Sequence, residues 1–182
     1  MGSVHHGIPR KLVLELRDRY GLKVFVETGS YVGGTLFWAS LRFEKVIGIE
    51  ISRFYYEFAK RACGDAKNVI LIRGDSRTEL SRALSLAKSP ALVWLDAHWS
   101  EDLEADKPER GENPLLDELR ALNADGRPHV VLVDDARLFD PPFNDEWPDI
   151  GEICTLLEER PRAVRIFEDV IIAEPKEEVC GR

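Results

Sequence analysis

The sequence has 182 residues and a formal net charge of -8, with 44% hydrophobic and 32% charged residues. This length is typical of one domain, so we expect residues 1–182 to form a single domain, and no apolar run approaches the ~20 residues that span a bilayer. The acidic balance argues against nucleic acid as a partner, because binding a phosphate backbone needs a basic surface, and it favours a small-molecule substrate.

The N-terminal residues and the cysteines bear on location and redox state. The first ten residues have no apolar segment before a small-residue cleavage site, which predicts a cytoplasmic protein. We interpret His5 and His6 as terminal or tag-like residues. Cys63, Cys154 and Cys180 are odd in number and contain no CxxC pair, so we expect reduced thiols and neither disulfides nor a thiolate zinc site.

Short β-branched runs alternate with longer amphipathic stretches along the chain, which is typical of a parallel sheet with crossover helices. In chain order, a helix at 9–19 precedes the strand 23–27, the helix 34–41 precedes the strand 45–50, and the helix 53–63 precedes the strand 68–73. The helix 77–87, the strand 91–96, the helix 114–122, the strand 129–134 and the helix 150–159 follow. Runs at 163–167 and 170–173 are separated by two residues and predict an antiparallel hairpin. The pattern therefore predicts a Rossmann-like α/β sandwich with a seven-stranded, mostly parallel sheet.

The turn after the first strand is rich in glycine. Gly29, Gly33 and Gly34 lie at the start of the second helix, where glycines allow a backbone to approach a ligand closely. Tyr31 occupies the position where a GxGxxG dinucleotide site has its second glycine, which admits a pyrophosphate. Tyr31 therefore favours a ligand without a pyrophosphate over a dinucleotide.

Polar residues also follow the next two strands. Glu50 ends the second strand 21 positions after Gly29, close to the ~20-residue offset at which an acid binds a ribose diol. Ile51 follows it directly. Asp75 and Ser76 follow the third strand, where they can contact the ligand, cap the next helix, or do both.

Three carboxylates and a histidine follow the fourth and fifth strands. If the strand conformation continues past Asp96, residues two apart point the same way, so Asp96 and His98 would share one face. The neighbouring fifth strand ends in Asp134 and Asp135. Like charges gathered in this way need a cation or a shared proton, and oxygen ligands suit Mg²⁺ or Mn²⁺.

The strand order with its late hairpin and the motif VETGSYVGGT resemble the class I S-adenosylmethionine-dependent methyltransferases. The resemblance covers almost the whole chain and is closest in motif to the metal-dependent O-methyltransferases of the macrolide-sugar and catechol type. It implies S-adenosyl-L-methionine as the cofactor, Mg²⁺ as a second one, and O-methylation of a small hydroxylated substrate. The sequence leaves open whether the chain forms a homo-oligomer.

The same resemblance implies roles for individual residues. An acid at the start of the first motif, together with its glycines, contacts the methionine part of the cofactor, and the acid after the third strand reaches the adenine. The implied cofactor-binding residues are Glu27, Thr28, Gly29, Ser30, Tyr31, Gly33, Thr35, Glu50, Ile51, Asp75, Ser76 and Asp96. The implied metal ligands are Asp96, Asp134 and Asp135.

His98 matches the proposed base of the sugar-modifying branch, and it forms the predicted catalytic pair with Asp96. A histidine near neutrality can take a hydroxyl proton, and a bound divalent ion lowers the pKa of that hydroxyl. The alternative is that His98, between Trp94 and Trp99, only packs at the edge of the sheet.

Two long segments are candidate loops over an acceptor pocket. Residues 98–113 are charged and irregular, and such stretches are often lids or binding loops. Residues 139–147 form the second segment, which a plain connection explains equally well. The residues that could line the pocket are Trp99, Arg110, Asn113 and Arg137, although a solvated surface role is the simpler interpretation for each.

Two other functions remain open from the sequence. Glu50 permits an NAD-dependent oxidoreductase, but Tyr31 and the lack of a second domain disfavour it. A non-catalytic cofactor-binding module is the other alternative, because a fold does not fix a function.

Overall fold

The computed structural model describes residues 7–98, 113–143, 145 and 147–176. The helices are α1 Arg10–Tyr20, α2 Gly34–Ser40, α3 Arg53–Cys63, α4 Ser76–Ala87, α5 Leu115–Asp125 and α6 Ile150–Glu158, with a short 3-10 helix at Ala136–Leu138. The strands are β1 Val24–Thr28, β2 Lys45–Glu50, β3 Val69–Arg73, β4 Ala91–Leu95, β5 Val130–Val133, β6 Arg162–Phe167 and β7 Val170–Pro175.

The seven strands form one sheet in the order β3-β2-β1-β4-β5-β7-β6. Strands β1 to β5 pair in parallel, and β7 runs antiparallel to both β5 and β6. This arrangement confirms the predicted α/β sandwich with a C-terminal antiparallel hairpin.

The strand order reverses between β1 and β4, since β2 and β3 extend to one side and β4 and β5 to the other. The register aligns Thr28 with Ile49 on one side and with Leu95 on the other. The carboxyl ends of these strands therefore meet at one edge, where open α/β sheets bind their ligands.

Apolar residues cover both faces of the sheet. Leu16 of α1 and Leu36 of α2 pack with Phe25 and Trp94 on one face. Helices α4, α5 and α6 cover the other face, where Leu119 packs among strand residues such as Val93. Burial on both faces explains why the central strands are continuous apolar runs that do not alternate with polar residues.

Side-chain caps fix where three helices begin. The Ser52 hydroxyl accepts a hydrogen bond from the Tyr55 amide at the start of α3, and the Asp75 carboxylate accepts one from the Arg77 amide at the start of α4. Asp149 and Glu152 form a reciprocal capping box at α6. The alternative interpretation of Asp75 as an N-cap is thus confirmed, which leaves its contact with a ligand as a separate prediction.

The predicted elements are present, the second strand and third helix with the predicted bounds and the others with ends shifted by at most three residues. The shift that matters is at β4, which ends at Leu95, so Asp96 lies beyond the strand. The alternation of a strand therefore does not bring Asp96 and His98 to one side, and the loop after β4 has to do so.

Several predictions fall outside the described residues. These are the structures of residues 99–112 and of His5, His6, Trp99, Arg110 and Cys180. Across the part of the chain that the structure describes, no helix is long and apolar enough to span a membrane.

A paired substitution tests the packing of α2 against α3. Gly33 has φ +81°, and a Cβ added there would lie 2.6 Å from the Cα of Ala59 in α3, whereas a Cβ at Gly34 would meet nothing within 4 Å. We expect Gly33→Ala to lower the free energy of unfolding by about 2 to 4 kcal/mol through strain and overpacking. Gly34→Ala should leave it unchanged or raise it by up to about 1 kcal/mol. Urea unfolding followed by circular dichroism measures both, and equal stability of the two variants would contradict the close approach.

Candidate active site

The loop after β1 lies against the ends of both neighbouring strands. The amides of Gly29 and Ser30 both donate to the carbonyl of Ile49, at 3.0 and 3.1 Å. Gly29 has φ +74°, and a Cβ there would lie 2.1 Å from the carbonyl oxygen of Asp96. Glycine is therefore required at this position, because the loop backbone touches the backbone that follows β4.

Glu27 is buried at the end of β1, only 2% exposed. Its Oε2 has no hydrogen-bond partner among the described residues. Burial raises the pKa of Glu27 to about 8, although hydrogen bonds from Thr35 and Ser30 oppose the shift. A buried acid in this condition suits a ligand that brings a positive charge or a hydrogen-bond donor.

Glu50 is also buried and is fixed by two backbone amides. The Tyr31 amide donates to its Oε2 at 2.7 Å, and the Ser52 amide donates to its Oε1 at 2.8 Å. Carboxylate oxygens accept hydrogen bonds from hydroxyls as well as from amides, so an acid at this position is of the type that binds a ribose diol. The backbone amide of Tyr31 thus holds Glu50, the predicted ribose-binding acid, in place. This role does not depend on the Tyr31 side chain.

The third strand leads to the predicted adenine end. Ser76, 5% exposed, begins α4, and Ile51 is half-buried after β2. The Arg77 guanidinium donates to Asp75 at 3.1 Å, so this carboxylate is held by an ion pair as well as by its cap. Asp75 and Ser76 lie beside β2 and Glu50, because β3 pairs with β2 up to Arg73.

Asp96, His98 and Asp135 form the centre of the candidate site. His98 Nε2 lies 2.9 Å from Asp135 Oδ2 and 3.7 Å from Asp96 Oδ1. One potential ligand atom from each residue lies within 4.8 Å of the other two. The loop after β4 therefore does bring Asp96 and His98 together, and Asp135 has φ +56°, a left-handed conformation in which its side chain meets the imidazole.

Asp134 has a different environment from its neighbour. Its Oδ1 accepts the Asp135 amide at 2.8 Å, and it lies outside the convergent group of Asp96, His98 and Asp135. Burial and the charge of Asp135 raise the pKa of Asp134 to about 6. Asp134 lies near enough to Asp96 for the charge of one to act on the other.

Arg137 connects the site to the β6–β7 hairpin. Its guanidinium donates to Asp135 Oδ1 at 2.6 Å and also pairs with Asp169 in the hairpin turn. The amide of Arg137 donates to Asp169 Oδ1 at 2.9 Å. Arg137, which the sequence suggested as a pocket-lining residue, is thus a counter-ion that orients Asp135.

The carboxylates of this cluster carry opposite pKa shifts. Burial and the charge of Asp134 raise the pKa of Asp96 well above its usual range, despite the opposing effect of His98. Burial would also raise the pKa of Asp135, but the hydrogen bonds from His98 and Arg137 outweigh it and lower that pKa. Asp135 is therefore paired with a guanidinium, whereas the described residues place no arginine or lysine in an ion pair with Asp96.

Aromatic rings lie beside His98. The His98 and Trp147 ring centroids are 5.3 Å apart, and Phe139 and Phe143 each lie within 5.6 Å of Trp147. Trp147 is buried, with no partner for its indole N–H among the described residues, and Phe143 is exposed. The segment after β5 thus places aromatic rings beside His98, and its role as a lid stays a prediction.

The structure gives Asn113 and Asp169 roles that the sequence did not predict. The Asn113 side chain accepts the Leu115 amide at the start of α5, a structural role. Asp169 had no predicted role, because a turn acid next to Glu168 is typical of any exposed hairpin. The only sequence signal for Asp169 is that the antiparallel β7 brings its turn to the edge where β5 ends.

No protein-family model matches the sequence, and a comparison with curated proteins finds no match. Solved structures do match in fold. The O-methyltransferase TomG from Streptomyces achromogenes, involved in tomaymycin synthesis and solved with S-adenosylmethionine, is 18% identical over 95% of this chain and 82% of its own, with a TM-score of 0.62. An O-methyltransferase from Bacillus cereus, solved with S-adenosylhomocysteine, is 16% identical over 96% of this chain and 84% of its own, with a TM-score of 0.64.

A third similar structure carries a metal. The methyltransferase MycE of mycinamycin biosynthesis, solved with Mg²⁺, S-adenosylhomocysteine and mycinamycin VI, is 16% identical over all of this chain and 53% of its own, with a TM-score of 0.64. At these identities the likeness establishes the fold, so the predicted resemblance to the Rossmann-like fold of class I methyltransferases is confirmed.

The buried Glu27 predicts how stability depends on pH. Its folded pKa of about 8 lies above the ordinary value of 4.5, so between these values the folded chain holds a proton that the unfolded chain has lost. The stability that this proton provides is full below about pH 4.5 and is lost as the pH rises to about 8. Glu27→Gln should remove this loss, so that the variant gains about 2 to 5 kcal/mol over the wild type between pH 5 and pH 8.

Urea unfolding of both proteins at pH 5, 6.5 and 8 measures the difference. Other acids titrate in both proteins and cancel in the comparison. Parallel stability curves for wild type and variant would show that Glu27 ionises normally.

Proposed function

We propose that this chain transfers a methyl group from S-adenosylmethionine to a hydroxyl oxygen of a small molecule. The observation that carries the proposal is the pair of buried acids, Glu27 and Glu50, on either side of the glycine loop where the strand order reverses. One of them has an oxygen without a partner among the described residues. A cationic ligand with a ribose diol complements both.

The predicted cofactor residues divide by strand. Glu27 would accept a hydrogen bond from the cofactor's ammonium group. Glu50 would accept hydrogen bonds from its ribose hydroxyls, and Asp75 would accept one from its adenine amino group. Gly29 and Gly33 allow the loop backbone to lie against Asp96 and Ala59, where a Cβ would not fit. When bound, S-adenosylmethionine supplies an electrophilic methyl group, and the chain has to align the acceptor oxygen and take its proton.

Glu27 disfavours a dinucleotide, because a pyrophosphate in the glycine loop would place its negative charge beside this buried acid. The exposed ring of Tyr31 stands in the loop where a dinucleotide site has glycine. The oxidoreductase alternative therefore gains no support from the structure.

His98 is the candidate base for the acceptor hydroxyl. If its Nε2–H donates to Asp135, the proton-accepting nitrogen is Nδ1, and Arg137 holds Asp135 ionised. The pairing fixes both the tautomer and the ring orientation, as an acid does for a catalytic histidine.

A divalent metal fits the same cluster. Asp96 and Asp135 offer oxygen ligands of the kind that Mg²⁺ and Mn²⁺ take, His98 offers a nitrogen within the same 4.8 Å, and Asp134 lies beside them. A bound metal would supply positive charge that lowers the pKa of a nearby hydroxyl. His98 Nε2 as a ligand would leave only Nδ1 for the base.

A cavity of about 890 Å³ is a candidate acceptor site. The first turn of α1, the start of α2 and the end of β6 line it, with Ile8, Thr35 and Phe167 among the lining residues. Thr35 is a partner of Glu27, and Glu168 in the lining adjoins the Asp169 that holds Arg137. This size and mixed lining suit a small organic acceptor.

Glu50 provides the test of cofactor binding. We expect Glu50→Ala to weaken S-adenosylmethionine binding by about 10- to 100-fold, since hydrogen bonds to a charged group contribute about 1.5 to 3 kcal/mol. Glu44→Ala is the matched control, because Glu44 is an exposed acid whose partner is Lys23. Isothermal titration calorimetry measures both, and equal affinities of the two variants would contradict the assignment of Glu50.

His98 provides the test of chemistry. We expect His98→Ala to lower methyl transfer by about 10²- to 10⁴-fold, the usual contribution of a general base, while S-adenosylmethionine affinity stays within twofold. Transfer of a radiolabelled methyl group to a panel of sugars, phenols and catechols is the assay. Cofactor binding without transfer to any acceptor would favour the non-catalytic alternative.

A chelator separates the metal from the rest of the proposal. We expect EDTA to abolish transfer and Mg²⁺ or Mn²⁺ to restore it, and Asp135→Asn to weaken Mn²⁺ binding measured by electron paramagnetic resonance. If EDTA leaves the rate of methyl transfer unchanged, the metal is not required, and the methyltransferase assignment is unaffected.

A further inference from the structure

Glu118 is a buried acid outside the set that the sequence singles out. It lies in α5 and is 1% exposed, on the helix face that otherwise buries Leu115, Leu119 and Leu122. Leucine at this position would continue the apolar face. An acid here therefore needs an explanation other than packing.

Its contacts lie under the carboxyl edge of the sheet. The hydroxyls of Thr28, at the end of β1, and Ser76, at the start of α4, hydrogen-bond the Glu118 carboxylate. Its Oε1 has no partner in the part of the chain that the structure describes. One carboxylate thus joins two residues that the sequence predicts to bind the cofactor.

The connection continues to the fourth strand. The Asp96 amide lies 3.4 Å from Thr28 Oγ1 and 3.3 Å from the Thr28 carbonyl oxygen. The Thr28 hydroxyl can accept from Asp96 while it donates to Glu118. Glu118 is therefore linked to the ends of β1 and β4 and to the turn after β3.

This arrangement is unfavourable for stability taken alone. Burial raises the pKa of Glu118 to about 7, and the charge of Asp75 adds to the effect. A buried carboxylate with one oxygen unpartnered costs free energy that an apolar residue of similar size would not. The Glu118 carboxylate can, however, fix the orientation of the Thr28 and Ser76 hydroxyls.

We propose that Glu118 is a positioning residue for the cofactor site, which sets the hydroxyls of Thr28 and Ser76 and, through Thr28, the backbone of Asp96. The inference rests on the proposed function. Glu118 touches no reacting atom, so it acts on cofactor affinity through the two hydroxyls.

Two substitutions separate positioning from folding. Glu118→Gln keeps an oxygen that accepts both hydroxyls, so its affinity for S-adenosylhomocysteine should stay within threefold of the wild type. Glu118→Leu removes both hydrogen bonds and should weaken binding by about tenfold, while its thermal midpoint stays equal or rises because the unpartnered acid is gone. A residue with only a structural role would change affinity and midpoint in the same direction.

A thermodynamic mutant cycle tests whether Glu118 acts through the hydroxyls of Thr28 and Ser76. In the Thr28→Val, Ser76→Ala background, Glu118→Leu should weaken binding less than twofold further, because the hydroxyls through which it acts are absent. Glu174→Gln is the control, since Glu174 is a buried acid on β7 that pairs with Arg19 and Arg165. It should leave the affinity unchanged.

Isothermal titration calorimetry with S-adenosylhomocysteine and thermal unfolding give both readouts. The inference is overturned if Glu118→Leu binds like the wild type, if its loss persists undiminished in the double background, or if lost affinity tracks lost stability. A wild-type chain that binds no S-adenosylhomocysteine would instead overturn the proposed function, and this inference with it.

Discussion

The contact between the backbones of Gly29 and Asp96 is the constraint on which the rest of the site depends. It places the loop after β1 directly against the segment after β4, at the point where the strand order reverses. No side chain fits between these two backbones. The ends of β1 and β2 and the ends of β4 and β5 therefore line one crevice. The acids of the β1 and β2 ends on one side, and the cluster around His98 on the other, owe their proximity to this contact.

The crevice gathers acidic groups whose pKa values shift in opposite directions. Asp135 has Arg137 and His98 as partners, and its pKa falls, whereas burial raises the pKa values of Glu27 and Asp96. Unequal compensation among neighbouring acids is a feature of sites that bind charged ligands. A cation beside Glu27 or Asp96 would lower the pKa of that acid toward its ordinary value.

Much of this could be predicted from the sequence. Apolar runs locate the strands, and parallel pairing brings the residues that follow them, such as Glu50 and Asp96, to one edge. The meeting of His98 with Asp135 depends on loop conformation, including φ +56° at Asp135, which no periodicity encodes. Asp169 was not predicted, because acids are common in exposed hairpin turns. Glu118 was not predicted, because single charged residues are common in helices and its buried position is known only from the tertiary structure. Glu118 did leave one signal, a carboxylate at a position where α5 spacing calls for an apolar residue.

The antiparallel hairpin has a consequence for how the protein folds. Asp169 holds the backbone and side chain of Arg137 across 32 positions of sequence, and its carbonyl accepts the amide of Ala136. The charge balance of the cluster is therefore incomplete until β7 has paired with β5. A chain in which only the parallel strands had paired would lack the bonds from Asp169 that hold Arg137 beside Asp135, so this arrangement and the pairing of β7 with β5 form together.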